Sequence, residues 1–333
     1  MTTSAVSTVK QNYLQAIVSA IVEEMRSDPS VFVMGQDLRA GIYGAYPVQE
    51  FGERVRSLPI SEAANVGAAI GAALTGMRPV LDMTIATFMY SAMDQIVNQA
   101  AKSRFLFGGQ ARVPLVIRAA MFYGASQAAH HNDRAYAIFM HTPGLKVIVP
   151  STPVNAKGLL KAAIRSDDPV LCFEDSNLWG TRAEVPTDPD FVIPLGQAEV
   201  RQEGSDVTVV GIANSLRTVM QSVKVLEADG ISVEVIDPRT LVPFDWETVL
   251  SSVEKTRRLV VVDPAPLTCG VASEIVATVA ERFHGGLHAP PIRVTGPDVP
   301  LAFSPPLERA ALPTRERVVE AVRRSVADLP ARV

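Results

Sequence analysis

The sequence predicts an α/β protein of two domains, each with a mostly parallel sheet flanked by helices. Three observations carry that expectation. Short segments rich in Val and Ile alternate with helical patterns, first from about residue 31 to 174 and again from about 207 to 294. A polar, proline-bearing stretch from Thr181 to Pro194 separates the two runs and reads as a linker, giving domains 1–190 and 191–333. A chain of 333 residues with 47% hydrophobic content is also large enough for two cores.

Taken in order, the first helical pattern runs from Thr8 to Met25, with Leu14, Ile17, Val18, Ile21 and Val22 on one face, and Asp28-Pro29 stops it. VFVMG at 31–35 is a short buried strand that opens into a glycine-rich loop, Gly35 to Gly44, where a strand end offers ligand contacts. In LPISEAANVGAAIGAALTG, Pro59 ends an extended segment and Ser61 is placed to cap a helix. From Ala63 to Gly76 its only strongly polar side chain is Asn65. Gly67 and Gly71 lie on one face, where close approach of another backbone would offset a helical cost of about 1 kcal/mol per glycine.

Pro79 to Ile85 reads as a strand and Ser91 to Arg104 as a helix, with Met93, Ile96, Val97 and Ala100 inward. VPLVIRAA at 113–120 has the near-continuous apolar character of a strand covered on both faces. A loop with His130 and His131 leads to a short helix, a strand at Lys146 to Val149 ended by Pro150, a helix at Asn155 to Arg165 and a strand at Val170 to Glu174. The second domain has expected strands at 207–212, 232–236, 258–263 and 292–294, with helices near 215–229, 245–255 and 270–283. A last helix is expected from Glu308 to Ala327.

The 31 basic and 35 acidic residues give a net charge of -4 without a long run of either sign, which argues against nucleic-acid and membrane-surface binding. Partners are then small molecules or proteins. Neither a signal-peptide pattern nor a long apolar window is present, so the chain is expected to be soluble and cytoplasmic. Cys172 and Cys269 both sit in apolar sequence and read as reduced core thiols.

Glu62 is a lone carboxylate at the mouth of a small, apolar helix. One reading is a first-turn acid favoured by the helix dipole; the other is a carboxyl in an apolar pocket, sharing a proton with a ligand nitrogen. Of five histidines, His130, His131 and His141 cluster after a buried strand, a setting suited to acid–base work. A zinc site lacks ligands at the right spacing, and no serine elbow, P-loop or paired-carboxylate motif occurs. The chemistry must come largely from a cofactor.

The segments LPISEAANVGAAIGAALTGMRPV, MDQIVNQAAKSRF, HTPGLKVIVPSTPVNAKGLLKAAI, DPVLCFE, EVIDPRTLVPFDWET and SVEKTRRLVVVD resemble one family. It is the beta subunit of the thiamine-diphosphate-dependent first component of 2-oxo acid dehydrogenase complexes, and the likeness spans Val31 to Pro300. The resemblance implies a transketolase-like fold, with a pyrimidine-binding domain followed by a C-terminal domain used mainly for assembly. It implies that Glu62 hydrogen-bonds the cofactor's aminopyrimidine, that Phe88 packs on that ring, and that His131 steers proton transfers and acyl handover. It places a structural potassium ion, in some relatives, at the loop of Ala163, Ile164, Ser166 and Asp168. The family's Gly-Asp-Gly motif for diphosphate and Mg2+ is absent here. The implied partner is therefore an alpha subunit carrying it, in an alpha2 beta2 heterotetramer whose close contacts Gly67 and Gly71 would suit.

The chain departs from the family at His131-Asn132-Asp133, where the histidine is usually followed by Ser-Gln, and His130 precedes it. The leading expectation is decarboxylation of a 2-oxo acid and reductive acylation of a lipoyl group. An alternative is transfer of a two-carbon unit from a ketose phosphate to a lipoyl or acyl-carrier domain, with His130, Asn132 and Asp133 bonding sugar hydroxyls. A third is a noncatalytic scaffold.

Overall fold

The structure, a computed structural model, describes residues 7–41 and 44–327. Ile42 and Tyr43 of the expected glycine-rich loop lie outside the described residues. Two units divide the chain: Met1–Phe122 with Ile138–Leu195, and Tyr123–Ala137 with Gly196–Val333.

Strands that are apolar on both faces belong inside parallel sheets, because crossover helices cover each side. The first unit contains six parallel strands in the order β6 (Lys146–Ile148), β7 (Val170–Asp175), β5 (Val116–Met121), β4 (Arg78–Ile85), β2 (Val31–Gln36) and β3 (Val55–Leu58). Every residue of β5 and β7 is buried. Helices Tyr13–Ser27 and Pro153–Arg165 pack on each other and close one core, with Ile17, Ile21, Leu159 and Leu160 inward. Glu23 ties the two helices by ion pairs to Lys157 at 2.6 Å and Lys161 at 2.8 Å.

Several expected elements differ. Thr8–Asn12 is a strand, β1, paired antiparallel with β8 (Arg182–Pro186), so the helix starts only at Tyr13 and part of the expected linker is extended structure. Asn12 and Gln15 form a capping box that fixes this start. The expected helix at 91–104 is broken into a 3₁₀ segment, Ala86–Ala92, a π-helix, Gln95–Ala100, and one turn, Ser103–Leu106. Among the described residues, Gly67 and Gly71 meet no second backbone: a Cβ at Gly67 would reach only Gln95 Cγ at 4.0 Å, and one at Gly71 nothing within 4 Å.

The second unit's five strands run in the order β14 (Ile292–Gly296), β13 (Leu259–Pro266), β10 (Val207–Gly211), β11 (Val233–Asp237) and β9 (Glu199–Gln202), with β9 antiparallel. A short strand, β12 (Thr240–Val242), follows β11. Val209, Leu216, Val235, Val260 and Val322 contribute to its core. The expected last helix is two, Pro305–Ala311 and Arg315–Ser325, because Pro313 interrupts it and Thr314 caps the second by accepting from Arg317 N–H. Cys172 is buried as expected, whereas Cys269 is exposed at the turn after β13, with φ +54°.

Candidate active site

The helix Glu62–Leu74 begins at Glu62 itself, so the carboxylate stands beside unpaired backbone N–H groups at the positive end of the helix dipole. Ser61 occupies the cap position, but its side chain makes no capping bond. Instead Asn65 Nδ2 donates to Pro59 O at 3.0 Å, and Asn65 N–H to Ser61 O at 2.9 Å, fastening the first turn to the strand exit. Glu62 is half-buried, and among the described residues no hydrogen bond or ion pair engages its carboxylate. Its oxygens therefore remain open to a donor from a ligand.

Phe88 is half-buried on the 3₁₀ segment that follows β4. The helix of Glu62 packs against both β4 and that segment, so one unit brings the two residues' elements together. β4 reaches the segment through a register shift between Asp82 and Ile85, where Thr84 takes φ +66° and its N–H donates to Asp82 Oδ1 at 2.8 Å. Beside it, a Cβ at Gly35 would lie 2.7 Å from Asp82 O, so β2 needs glycine there to approach β4.

Asp82 belongs to a group that reading the sequence missed. Arg118, 3% exposed on β5, donates to Asp82 Oδ2 at 2.6 Å and to both oxygens of Glu174 at 2.6 and 2.9 Å, with Tyr46 Oη at 3.5 Å. Burial pushes the Asp82 carboxyl above its usual range, against the pull of Arg118, and burial likewise raises the Tyr46 phenol. The one polar residue in the apolar run VIRAAM was its only signal.

His130 and His131 lie in the second unit. His130 is exposed and His131 half-buried on a 3₁₀ turn, Ala129–His131, with ring centroids 4.0 Å apart. Asp133 is exposed. Asn132, expected to face a substrate, is instead buried, and its amide donates to Glu308 Oε1 at 3.0 Å. The Gly124 and Ser126 N–H groups donate to the same carboxylate at 2.7 and 3.0 Å. Beyond the turn, the Tyr136 hydroxyl donates to Asp263, whose carboxyl burial pushes up against the bond from Tyr136. His141 is exposed and belongs to the first unit.

At the loop of Ala163, Ile164, Ser166 and Asp168, cations are already present. Arg78 donates to the carbonyls of Ile164 and Ser166, both at 3.0 Å, and the Ala163 carbonyl accepts from Ser166 N–H at 3.1 Å. The Asp168 carboxylate pairs with Arg104 at 2.9 Å and Lys146 at 3.2 Å. The Ile164 and Ser166 carbonyls and the Asp168 carboxylate thus already face cations of the protein, whereas the Ala163 carbonyl meets only an amide N–H. Among the described residues no cluster of His, Cys, Asp and Glu could hold a metal ion, and no helix is long and apolar enough to cross a membrane.

Residues 9–180 match the transketolase pyrimidine-binding domain model, and residues 196–318 the transketolase C-terminal domain model. The acetoin:2,6-dichlorophenolindophenol oxidoreductase beta subunits of Bacillus subtilis and Cupriavidus necator are 41% and 42% identical, over 91% and 93% of this chain and 94% and 96% of theirs. The pyruvate dehydrogenase first-component beta subunit of Rhizobium meliloti is 42% identical over 93% of this chain and 68% of its own length. The chain belongs to the beta subunits of 2-oxo acid dehydrogenase first components. This beta-subunit family is thiamine-diphosphate dependent and transketolase-like. A solved split-gene transketolase, an inactive beta4 tetramer, matches the fold with a TM-score of 0.77 at 25% identity, covering 94% of this chain and 97% of that one.

Proposed function

We propose that the chain is the beta subunit of a thiamine-diphosphate-dependent 2-oxo acid dehydrogenase, active with an alpha subunit in an alpha2 beta2 heterotetramer. The net reaction is loss of CO2 from a 2-oxo acid and acylation of a lipoyl group, whose disulfide is the oxidant and leaves as one thioester and one thiol. The observation that carries this reading is Glu62: an open carboxylate at a helix N-terminus, on a pyrimidine-binding domain. Such a carboxyl fits a pyrimidine nitrogen, because it can hold or share a single proton with it.

Thiamine diphosphate, when bound, supplies a thiazolium that stabilises the carbanion left by decarboxylation. Glu62 shares the proton at the pyrimidine nitrogen. Phe88 offers its face to the ring, and His131 moves protons at the substrate carbonyl and assists acyl handover. Mg2+ falls to the alpha chain, in keeping with the missing Gly-Asp-Gly motif. This reading does not require potassium at Ala163, Ile164, Ser166 and Asp168, where Arg78 and Lys146 already face the Ile164, Ser166 and Asp168 oxygens. The ketose alternative loses one of its three supports, because the amide of Asn132 is committed to Glu308.

Acetoin is a second donor to test, since the acetoin relatives match as closely as the pyruvate one. There acetaldehyde leaves in place of CO2. The test is reconstitution with the alpha subunit, thiamine diphosphate and Mg2+, followed by donor-dependent reduction of 2,6-dichlorophenolindophenol with CO2 and acetaldehyde quantified. CO2 release from a 2-oxo acid supports the first reading and acetaldehyde from acetoin the second. Glu62→Gln is expected to lower turnover about 10²- to 10⁴-fold; undiminished turnover would sink the assignment and favour a scaffold.

A further inference from the structure

The stretch that carries His131 is held in a conformation it would not choose alone. Gly124, Ser126 and Ala128 take φ of +81°, +55° and +61°, and the last two are not glycines. Residues in that region persist only where their surroundings fix them. Here the fixing group is Glu308, 1% exposed on the helix Pro305–Ala311. Its Oε1 accepts from Gly124 N–H at 2.7 Å and Asn132 Nδ2 at 3.0 Å, and its Oε2 from Ser126 N–H at 3.0 Å. Among the described residues no cation pairs with it. A buried carboxylate without a cation is tolerated when several N–H groups converge on it, as the loop's do.

These bonds reach the histidine through its neighbour. Asn132 is gripped twice, at its side chain by Glu308 and at its carbonyl by Arg134 Nη1 at 2.6 Å. Arg134 in turn lies over the Tyr123 ring, 5.5 Å from its centroid. His131 N–H closes the turn on Ala128 O at 3.3 Å. The geometry points to Glu308 as a positioning residue for His131, and this assignment rests on the role given to His131 above. Glutamine cannot replace it: with donors converging on both oxygens, either amide orientation sets an N–H against a backbone N–H.

The test uses the reconstituted heterotetramer with thiamine diphosphate and Mg2+. Glu308→Gln is expected to lower kcat at least about tenfold, the scale of a misplaced reacting group, with the donor KM changed far less. In a His131→Ala background the same substitution should cost less than about twofold, because two residues acting through one contact are not additive. Exchange of the cofactor's C2 proton, which depends on Glu62, should keep its wild-type rate. An additive loss in the His131→Ala background, or a parallel fall in C2 exchange, would mean that Glu308 only supports the fold. Wild-type turnover by His131→Ala alone would instead overturn the role of the histidine, and the positioning with it. Should Glu308→Gln not assemble, Asn132→Ala removes one donor and leaves the carboxylate two, and a smaller loss, again suppressed by His131→Ala, is expected.

Discussion

Arg118 is a guanidinium enclosed between two carboxylates, all three at most 5% exposed. Removing one member of such a group leaves uncompensated charge where water cannot reach, so Arg118→Met is expected to destabilise the protein by about 3–5 kcal/mol in urea unfolding. The pH dependence follows from Asp82. Burial raises its folded pKa, against the pull of Arg118. A raised carboxyl contributes stability that is full below the ordinary aspartate range and is lost as pH rises through the folded value. Without Arg118 that value climbs further, so the variant should lose more stability relative to wild type at pH 8 than at pH 5. Equal losses at both would exonerate the carboxylates. Glu62 was legible in the sequence as the one acid beside a small, apolar helix. Arg118 was not, because its partners lie 36 and 56 residues away on other strands. Glu308 was hidden for the same reason, 176 residues from Asn132.

At the scale of elements, local signals located what local forces build. The apolar runs that became β2, β5, β7 and β10 could be read directly, since burial on both faces leaves no polar alternation. Thr8–Asn12 could not, because its strand exists only by pairing with β8, so that Thr8 lies opposite Pro186. The break of the helix after β4 into 3₁₀ and π turns likewise has no signal in helical periodicity. Caps are local and testable. Asp245 starts the helix Trp246–Thr256, accepting from Thr248 N–H at 3.0 Å and its hydroxyl at 2.7 Å, and from Ala198 N–H at 2.8 Å. Although burial works the other way, these bonds hold its carboxyl below the usual range. Its contribution is therefore full above the ordinary aspartate range and is lost as pH falls through the folded value. Asp245→Ala should cost about 0.5–2 kcal/mol at pH 7 and less at pH 3. A pH-independent loss would assign the effect to packing.

For the whole molecule, the helix of Glu62 shows two unlike faces. Val66, Ala69, Ile70 and Ala73 are buried, while Ala64, Gly67, Ala68, Gly71 and Leu74 are exposed, Leu74 by 46%. Glycines in mid-helix weaken it, and among the described residues nothing lies within 4 Å of a Cβ at Gly71. The cost makes sense if a second copy of the chain packs on this face within the proposed heterotetramer, where the absence of side chains lets helices approach closely. Self-association of this fold is seen in the beta4 split-gene transketolase. Gly71→Leu separates folding from assembly. Since open space surrounds the new side chain and leucine favours helix by about 0.8 kcal/mol over glycine, the isolated subunit should melt no lower than wild type. The same substitution should block the close approach, so sedimentation of the co-expressed subunits should show the alpha2 beta2 species replaced by smaller ones, with turnover falling in proportion. An undiminished heterotetramer would place this face away from the contact and leave the two glycines without an assembly role.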